Sequence, residues 1–339
     1  MKFLALLVAT AAVAAGAFAG ARHLAFETVD VDPPVLLEIA PGESLASIAT
    51  RLTRAGVVRD PRVLSLLARY REIDRDVRHG RHEFAGKHSP WSVLDELVAS
   101  PKPTFKLTIP EGLRLDEIAA LAAEAGLGRA DEYTDAACDP ALLARIGAAA
   151  EANCSEGYLF PDTYHLAPTT TAAELVELQI SRFEEVVAPL VRRYSDADAG
   201  ADAGRTFLNR TLALASIVEK ETSVGSERGL VAGVMANRLE RGMLLQTDPT
   251  VIYGVIAAGQ PWDGNLTRKH LREPTPYNTY TEKGLPPGPI CNPGLAAVRA
   301  ALEPTETEHL YFVARGDGSH EFNRTYAAHA AAVRKYQLR

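Results

Sequence analysis

The chain is expected to fold as an α+β protein behind an N-terminal apolar helix, and three observations lead there. Short β-type runs such as VLLEI, FKLTI and LYFVA lie beside longer stretches whose apolar residues recur at helical spacing. A strand–turn–helix block near the N-terminus recurs 70 residues downstream. Over 339 residues, 47% hydrophobic and 23% charged, the composition is that of a folded protein large enough for two or three compact units.

Lys2 is followed by FLALLVATAAVAAGAFAGA, uncharged from Phe3 to Ala21 and ended by Arg22. That length is near the lower limit for a helix crossing a bilayer, so residues 1–25 read as an N-terminal membrane anchor. A secretory signal cut after Ala17-Phe18-Ala19 is the alternative. Either reading places the remainder outside the cytoplasm. The net charge of -7 and the absence of a Lys/Arg run exclude nucleic acid as a partner.

Pro33-Pro34 marks entry into the first folded unit. There IAPGESLASIATRLTRAG (Ile39 to Gly56) aligns without gaps with IPEGLRLDEIAALAAEAG (Ile109 to Gly126). Each copy reads as a short strand, a glycine-containing turn and an amphipathic helix closed by a glycine suited to a left-handed cap. Between the copies, Asp60-Pro61 and Ser89-Pro90 are helix starts, and GRHEF (Gly80 to Phe84) is a further strand. From about Asp131 to Pro161 the chain is expected to be irregular. One long helix, from about Thr171 to Tyr194, and an acidic small-residue loop, Tyr194 to Gly204, follow.

The C-terminal half opens near Thr206 with a helix containing LALASIVEKET (Leu212 to Thr222). A second helix spans Val231 to Arg241, and LLQTDPTVIYG (Leu244 to Gly254) reads as a loop. The Pro-rich PYNTYTEKGLPPGPICNPG (Pro276 to Gly294) leads to a helix from about Gly294. LYFVA (Leu310 to Ala314) turns at Gly316-Asp317-Gly318 into HEFN, and a last helix runs from Tyr326 to Tyr336.

Several chemistries are absent. The chain has no GxSxG elbow, no phosphate-binding glycine loop, no HExxH and no CxxC, so neither metal nor cofactor is expected. Of three cysteines, Cys138 and Cys154 can pair in an oxidising compartment, which leaves Cys291 over.

LALASIVEKET carries the candidate chemistry. Leu212, Ala213, Leu214, Ala215, Ile217 and Val218 cover almost every direction of a helical wheel, as in a helix buried on all sides. A glutamate emerging from such a helix is partly desolvated, which favours the protonated form and suits a proton donor at neutral pH. Glu219 and Glu221 both qualify. Two positions apart, they project about 200° from each other, so they cannot form the facing pair of an ordinary glycosidase. The tyrosines, Asn and Thr of PYNTYTEKGLPP suit sugar faces and hydroxyls, on a loop stiffened by proline.

Two resemblances are carried by these segments. The doubled strand, Gly turn and LxxIA helix resembles LysM modules, which bind glycans containing N-acetylglucosamine, and assigns residues 35–130 to a LysM-like region. ASIVEKET (215 to 222), NRLxxGMxLQTDPTVIYG (Asn237 to Gly254), TPYNTYTxxGLPPGPIxNPG (Thr275 to Gly294) and YLFPDTY (Tyr158 to Tyr164) resemble the endolytic murein transglycosylases, or YceG-like family. That resemblance implies a single-pass enzyme of the cell membrane with its catalytic domain, residues 131–339 and core 205–339, on the outer side. It implies cleavage of MurNAc–GlcNAc bonds inside peptidoglycan strands to leave 1,6-anhydro ends. It also implies termination of nascent strands, with peptidoglycan synthases as partners. It places the catalytic role on the first acid, Glu219. Gln246, Thr247, Asp248, Tyr277, Asn278 and Tyr280 are expected to contact substrate or orient the acid, with Glu221 and Ser216 in support. A non-catalytic peptidoglycan-binding protein and a lysozyme-type muramidase are the competing readings.

Overall fold

The computed structural model describes residues 22–99, 104–148, 154–194 and 200–338, together with Gly16 and Gly20. The apolar stretch Phe3 to Ala21 otherwise lies outside the described residues, and among those described no helix is long and apolar enough to cross a membrane. The backbone divides into two compact units, Met1–Phe105 and Lys106–Arg339.

In the first unit, β1 (Val29–Ile39) pairs antiparallel with β2 (Gly80–His88), setting Leu37 opposite His82. The register shifts between Val31 and Val35, where Pro33 and Pro34 have no N–H to offer a ladder. Between the strands lie α1 (Leu45–Arg54) and α2 (Pro61–Tyr70), and α3 (Pro90–Val98) follows β2. Both expected Pro-led starts form: Asp60 accepts from the Arg62 N–H, and Ser89 and Ser92 cap each other reciprocally. Ile48, Leu52, Leu64, Phe84, Leu94 and Leu97 form a core with no exposed surface.

The second unit follows a related plan, with three helices between its first two strands instead of two. It begins with β3 (Phe105–Thr108), then α4 (Leu115–Glu124), α5 (Ala130–Ala137) and α6 (Pro140–Ile146), and closes on β4 (Thr163–Leu166), which pairs with β3. Helices α1 and α4 are both 10 residues long and start at equivalent places in the two copies. Their entry glycines match too: Gly42 has φ +79° and Gly112 φ +78°, a left-handed conformation that glycine adopts without steric cost. The expected single region 35–130 is therefore divided by the fold. The second copy belongs to the C-terminal unit, because the Gly112 N–H donates to the Asn292 carbonyl at 2.8 Å and Lys220 Nζ to the Gly112 carbonyl at 3.2 Å.

Three local expectations are corrected. Residues 131–146 are mostly helical rather than irregular, since Glu132 accepts from the Arg129 N–H and Asp139 caps a Pro-led helix, while the described residues 154–161 are irregular as expected. The helix after Thr171 breaks into α7 (Ala172–Val186) and α8 (Ala188–Arg192), because Pro189 has no N–H for the preceding turn. The expected loop 244–254 holds most of a helix, α11 (Asp248–Ala257), with Pro249 in its first turn.

At the centre of this unit, α9 (Gly200–Glu221) packs against α10 (Arg228–Glu240), α11 and α12 (Leu295–Leu302). Leu212, Ala215, Ile217 and Val218 have no exposed surface, so the helix is buried all round as the wheel requires. β5 (Tyr311–Ala314) and β6 (His320–Asn323) form an antiparallel hairpin that pairs Tyr311 with Asn323, and α13 (Tyr326–Tyr336) packs on it. Cys138 and Cys154 are joined as a disulfide, and Cys291 is a buried free thiol.

Candidate active site

The last turn of α9 sends its two acids into different surroundings. Glu219 is enclosed, with 8% of its side chain exposed, and every oxygen it offers is taken by the fold. Arg228 Nη2 donates to Oε1 at 3.3 Å, and the Gly294 N–H at the start of α12 donates to Oε2 at 3.1 Å. Gly112 covers the chain of the side chain, leaving a Cβ there 3.4 Å from Glu219 Cγ. Glu111, from the turn before α4, lies against Gly294 and 3.9 Å from Arg228. Burial and the neighbouring Glu219 raise the Glu111 pKa, against the pull of Arg228. Glu219 thus joins the β3–α4 turn, α10 and α12 at one point.

Glu221 lines an open cavity of about 600 Å³. Its walls come from α10 (Arg238), the segment before α11 (Leu245, Gln246), the first residue of α11 (Asp248), the Pro-rich loop (Tyr280), the β5–β6 hairpin (Tyr311, Phe312, His320) and α13 (Tyr326, His329). Burial first, and then the charge of Asp248, push the Glu221 carboxyl up to about 7, with Arg238 opposing. The desolvation that the apolar helix implies thus acts on the carboxyl of Glu221.

The geometry around Glu221 is held by donors and acceptors of named partners. Tyr280 Oη donates to Asp248 Oδ1 at 2.6 Å, fixing both groups on the cavity wall. Arg238 is pinned behind them, Nε to the Leu310 carbonyl at 2.7 Å and Nη1 to the Leu245 carbonyl at 2.6 Å. Gln246 sits at φ +52°, an uncommon conformation for a residue with a side chain, and its N–H donates to the Thr279 carbonyl at 3.0 Å. His320 is fixed by Glu227, which accepts from the His320 backbone N–H at 3.0 Å and meets Nδ1 at 2.7 Å.

Of the expected site residues, Gln246, Asp248, Tyr280 and Glu221 come together. Thr247 does not reach the cavity: buried with Thr250 and Thr279, it shares a hydroxyl network that ties the start of α11 to the Pro-rich loop. Asn278, 1% exposed, donates through Nδ2 to the carbonyls of His270, Leu271 and Glu273 and accepts from the Tyr280 N–H, so it shapes the loop. Tyr277 packs its ring on Tyr253, 4.8 Å between centroids, beside Gly254. Ser216 accepts from the Ile290 N–H at 3.0 Å and anchors the far end of the same loop. Glu219 is absent from the cavity lining.

These segments match a known family. The model of the YceG-like family covers residues 37–335. The chain belongs to the YceG-like family. It is 29% identical over 342 residues to the endolytic murein transglycosylase of Bacillus subtilis (strain 168), covering 95% of this chain and 90% of that protein. The endolytic murein transglycosylase of Streptococcus pneumoniae (strain D39) is 30% identical, with 91% of this chain matched to 60% of that longer protein. A crystal structure of a YceG-like protein from Listeria monocytogenes superposes with a TM-score of 0.58 at 28% identity, covering 88% of this chain and 98% of that one.

In this YceG-like chain, sequence reasoning passed over Arg238, Tyr311, Tyr326 and His329 as parts of the cavity. LYFVA was legible as a strand, and strand alternation alone does not say which face meets Glu221. Residues of Glu/Asp/His/Cys type form no group of metal-holding geometry among the described residues.

Proposed function

We propose that this chain is a peptidoglycan lytic transglycosylase whose proton donor is Glu221. The observation that carries the reading is a protonatable glutamate, raised to about 7, at the wall of a cavity large enough for sugar units and lined by Asp248, Tyr280 and Tyr311. The names of the relatives supply the polymer: the B. subtilis and S. pneumoniae proteins are endolytic murein transglycosylases.

The chemistry needs one carboxyl. Protonated Glu221 gives its proton to the glycosidic oxygen as the C1–O bond breaks, and positive charge develops at C1 and the ring oxygen. Asp248, held by Tyr280, supplies negative potential beside that charge. The substrate's own C6 hydroxyl then bonds to C1, and its proton passes to the Glu221 carboxylate. The acid is regenerated, no water is consumed, and the product carries a 1,6-anhydro ring. In the envelope setting that the N-terminal segment and the relatives favour, internal cuts of this kind end growing strands, with the synthases as neighbours.

Glu219 is the second reading, favoured by Glu111: a carboxyl with a raised pKa, sharing Arg228 with Glu219, gives that acid a neighbour able to carry a proton. Purified glycan strands incubated with the full chain decide between the readings and the competing activities. Products about 18 mass units lighter than reducing ends, by one water, mark the lyase. Reducing ends mean a muramidase, and uncut strands mean a binding protein. Retained cleavage by Glu221→Gln would transfer the role to Glu219.

A further inference from the structure

Three aromatic rings crowd the end of the cavity formed by the hairpin and α13. Tyr311 and His329 lie nearly parallel, 5.3 Å apart with an interplanar angle of 21°. Tyr326 stands 6.0 Å from Tyr311 and 6.4 Å from His329, with 69% of its surface exposed although it lines the cavity. An aromatic side chain left that open, on a wall shared with an acid, touches its neighbours at one side and still offers apolar ring surface to a ligand. The guanidinium of Arg238 covers Tyr311 at 5.2 Å and fixes the ring from behind.

A second observation points to a ligand at the same place. The Nδ1 atom of His329 is buried and has no hydrogen-bond partner. A buried ring nitrogen without a partner costs free energy unless a ligand supplies one. Burial and Arg238 lower the His329 pKa, so the ring stays neutral and one nitrogen remains able to accept.

From this placement we propose that Tyr326, Tyr311 and His329 form a carbohydrate subsite, which holds the pyranose next to the one cleaved at Glu221. One face of that sugar rests on Tyr326, and the His329 ring turns to bring its otherwise unpartnered Nδ1 to one of the hydroxyls. A pyranose combines an apolar C–H face with a polar rim, which is the pairing these residues offer. A cavity of about 600 Å³ lies within the range that encloses ligands larger than one sugar ring. The charged groups Glu221, Arg238 and Asp248 come from α9, α10 and α11, while the hairpin and α13 supply the rings. The subsite therefore reads shape and hydroxyls. It rests on the transglycosylase reading for the identity of the polymer.

The test titrates purified, uncrosslinked glycan strands into the full chain carrying Glu221→Gln, so that binding is read without cleavage. Adding Tyr326→Ala is expected to weaken binding about fivefold to tenfold, as for loss of one aromatic contact, while Tyr326→Trp keeps it. With Glu221 intact, the same substitution is expected to raise KM by that factor, and kcat carries little of the loss. Equal binding by the Ala and Tyr chains, or no strand binding at all, overturns the subsite. If binding depends on Tyr326 but the unaltered chain releases no anhydro ends, the subsite stands and the lyase reading falls. If cleavage occurs with a KM indifferent to Tyr326, the subsite alone falls.

Discussion

Glu219 and Glu221 leave the same helix turn and end in opposite circumstances. Glu219 meets a guanidinium and a backbone N–H in an enclosed junction, whereas Glu221 borders an open cavity beside another carboxylate. A carboxylate whose oxygens are both occupied holds elements together. One that is desolvated, poorly neutralised and open to a ligand is suited to moving a proton. The difference teaches that an apolar helix does not by itself set the surroundings of the acids at its end, because those depend on what other elements bring to each side.

The largest effect expected is on turnover. Glu221→Gln removes the donated proton and should lower cleavage by about 10²- to 10⁴-fold with the thermal midpoint nearly unchanged, as read by anhydro-end release and thermal unfolding. The next is on stability against pH, and it comes from Glu156. That carboxyl accepts from the Leu115 N–H at 3.1 Å and from Asn292 Nδ2 at 2.7 Å, and burial pushes it up to about 8. Its folded pKa lies above its unfolded value, so the stability it contributes is full below about 4.5 and is lost as pH rises through 8. Urea unfolding at pH 6 and pH 9 should differ by a few kcal/mol (~1.4 per pKa unit as an upper bound), and Glu156→Gln should flatten that dependence.

A smaller loss is expected at the enclosed acid. Glu219→Gln weakens the contacts that Arg228 and the Gly294 N–H make with this side chain and should cost about 1–3 kcal/mol of folding free energy in urea titrations, the range for a poorly satisfied buried donor. The smallest effect sharpens the contrast from the cavity side. Asp248 raises the Glu221 pKa, so Asp248→Asn should move the alkaline limb of the pH–rate profile to lower pH. A limb unmoved by that change would detach Asp248 from the acid.

Much of this fold was legible in the sequence. The repeat predicted a helix after each glycine turn, and both form, at Leu45–Arg54 and Leu115–Glu124, because glycine, Leu and Ile spacing are local instructions. The hairpin turning at Gly316 to Gly318 and the helix from Tyr326 to Tyr336 were equally local. The helix at Asp248 carried the same Asp-Pro signal as the one at Pro61, but the motif around it was read as a binding loop. The site was half legible. Gln246, Asp248 and Tyr280 gather at the cavity, while Thr247, Asn278 and Tyr277 turn inward to hold the loop that presents them. Residue type suggests sugar contact for all six alike. Only the tertiary fold separates those whose polar groups are spent on the backbone from those left facing the cavity.

The central claim is that the acid at the open cavity, rather than the enclosed one, moves the proton. The most direct measurement is the mass of the products formed from purified glycan strands by the full chain carrying Glu219→Gln, at a temperature where that chain is folded, beside the chain carrying Glu221→Gln. The account predicts anhydro ends from the Glu219→Gln chain and none above background from the other. Anhydro ends from Glu221→Gln, with none from a folded Glu219→Gln chain, would contradict it.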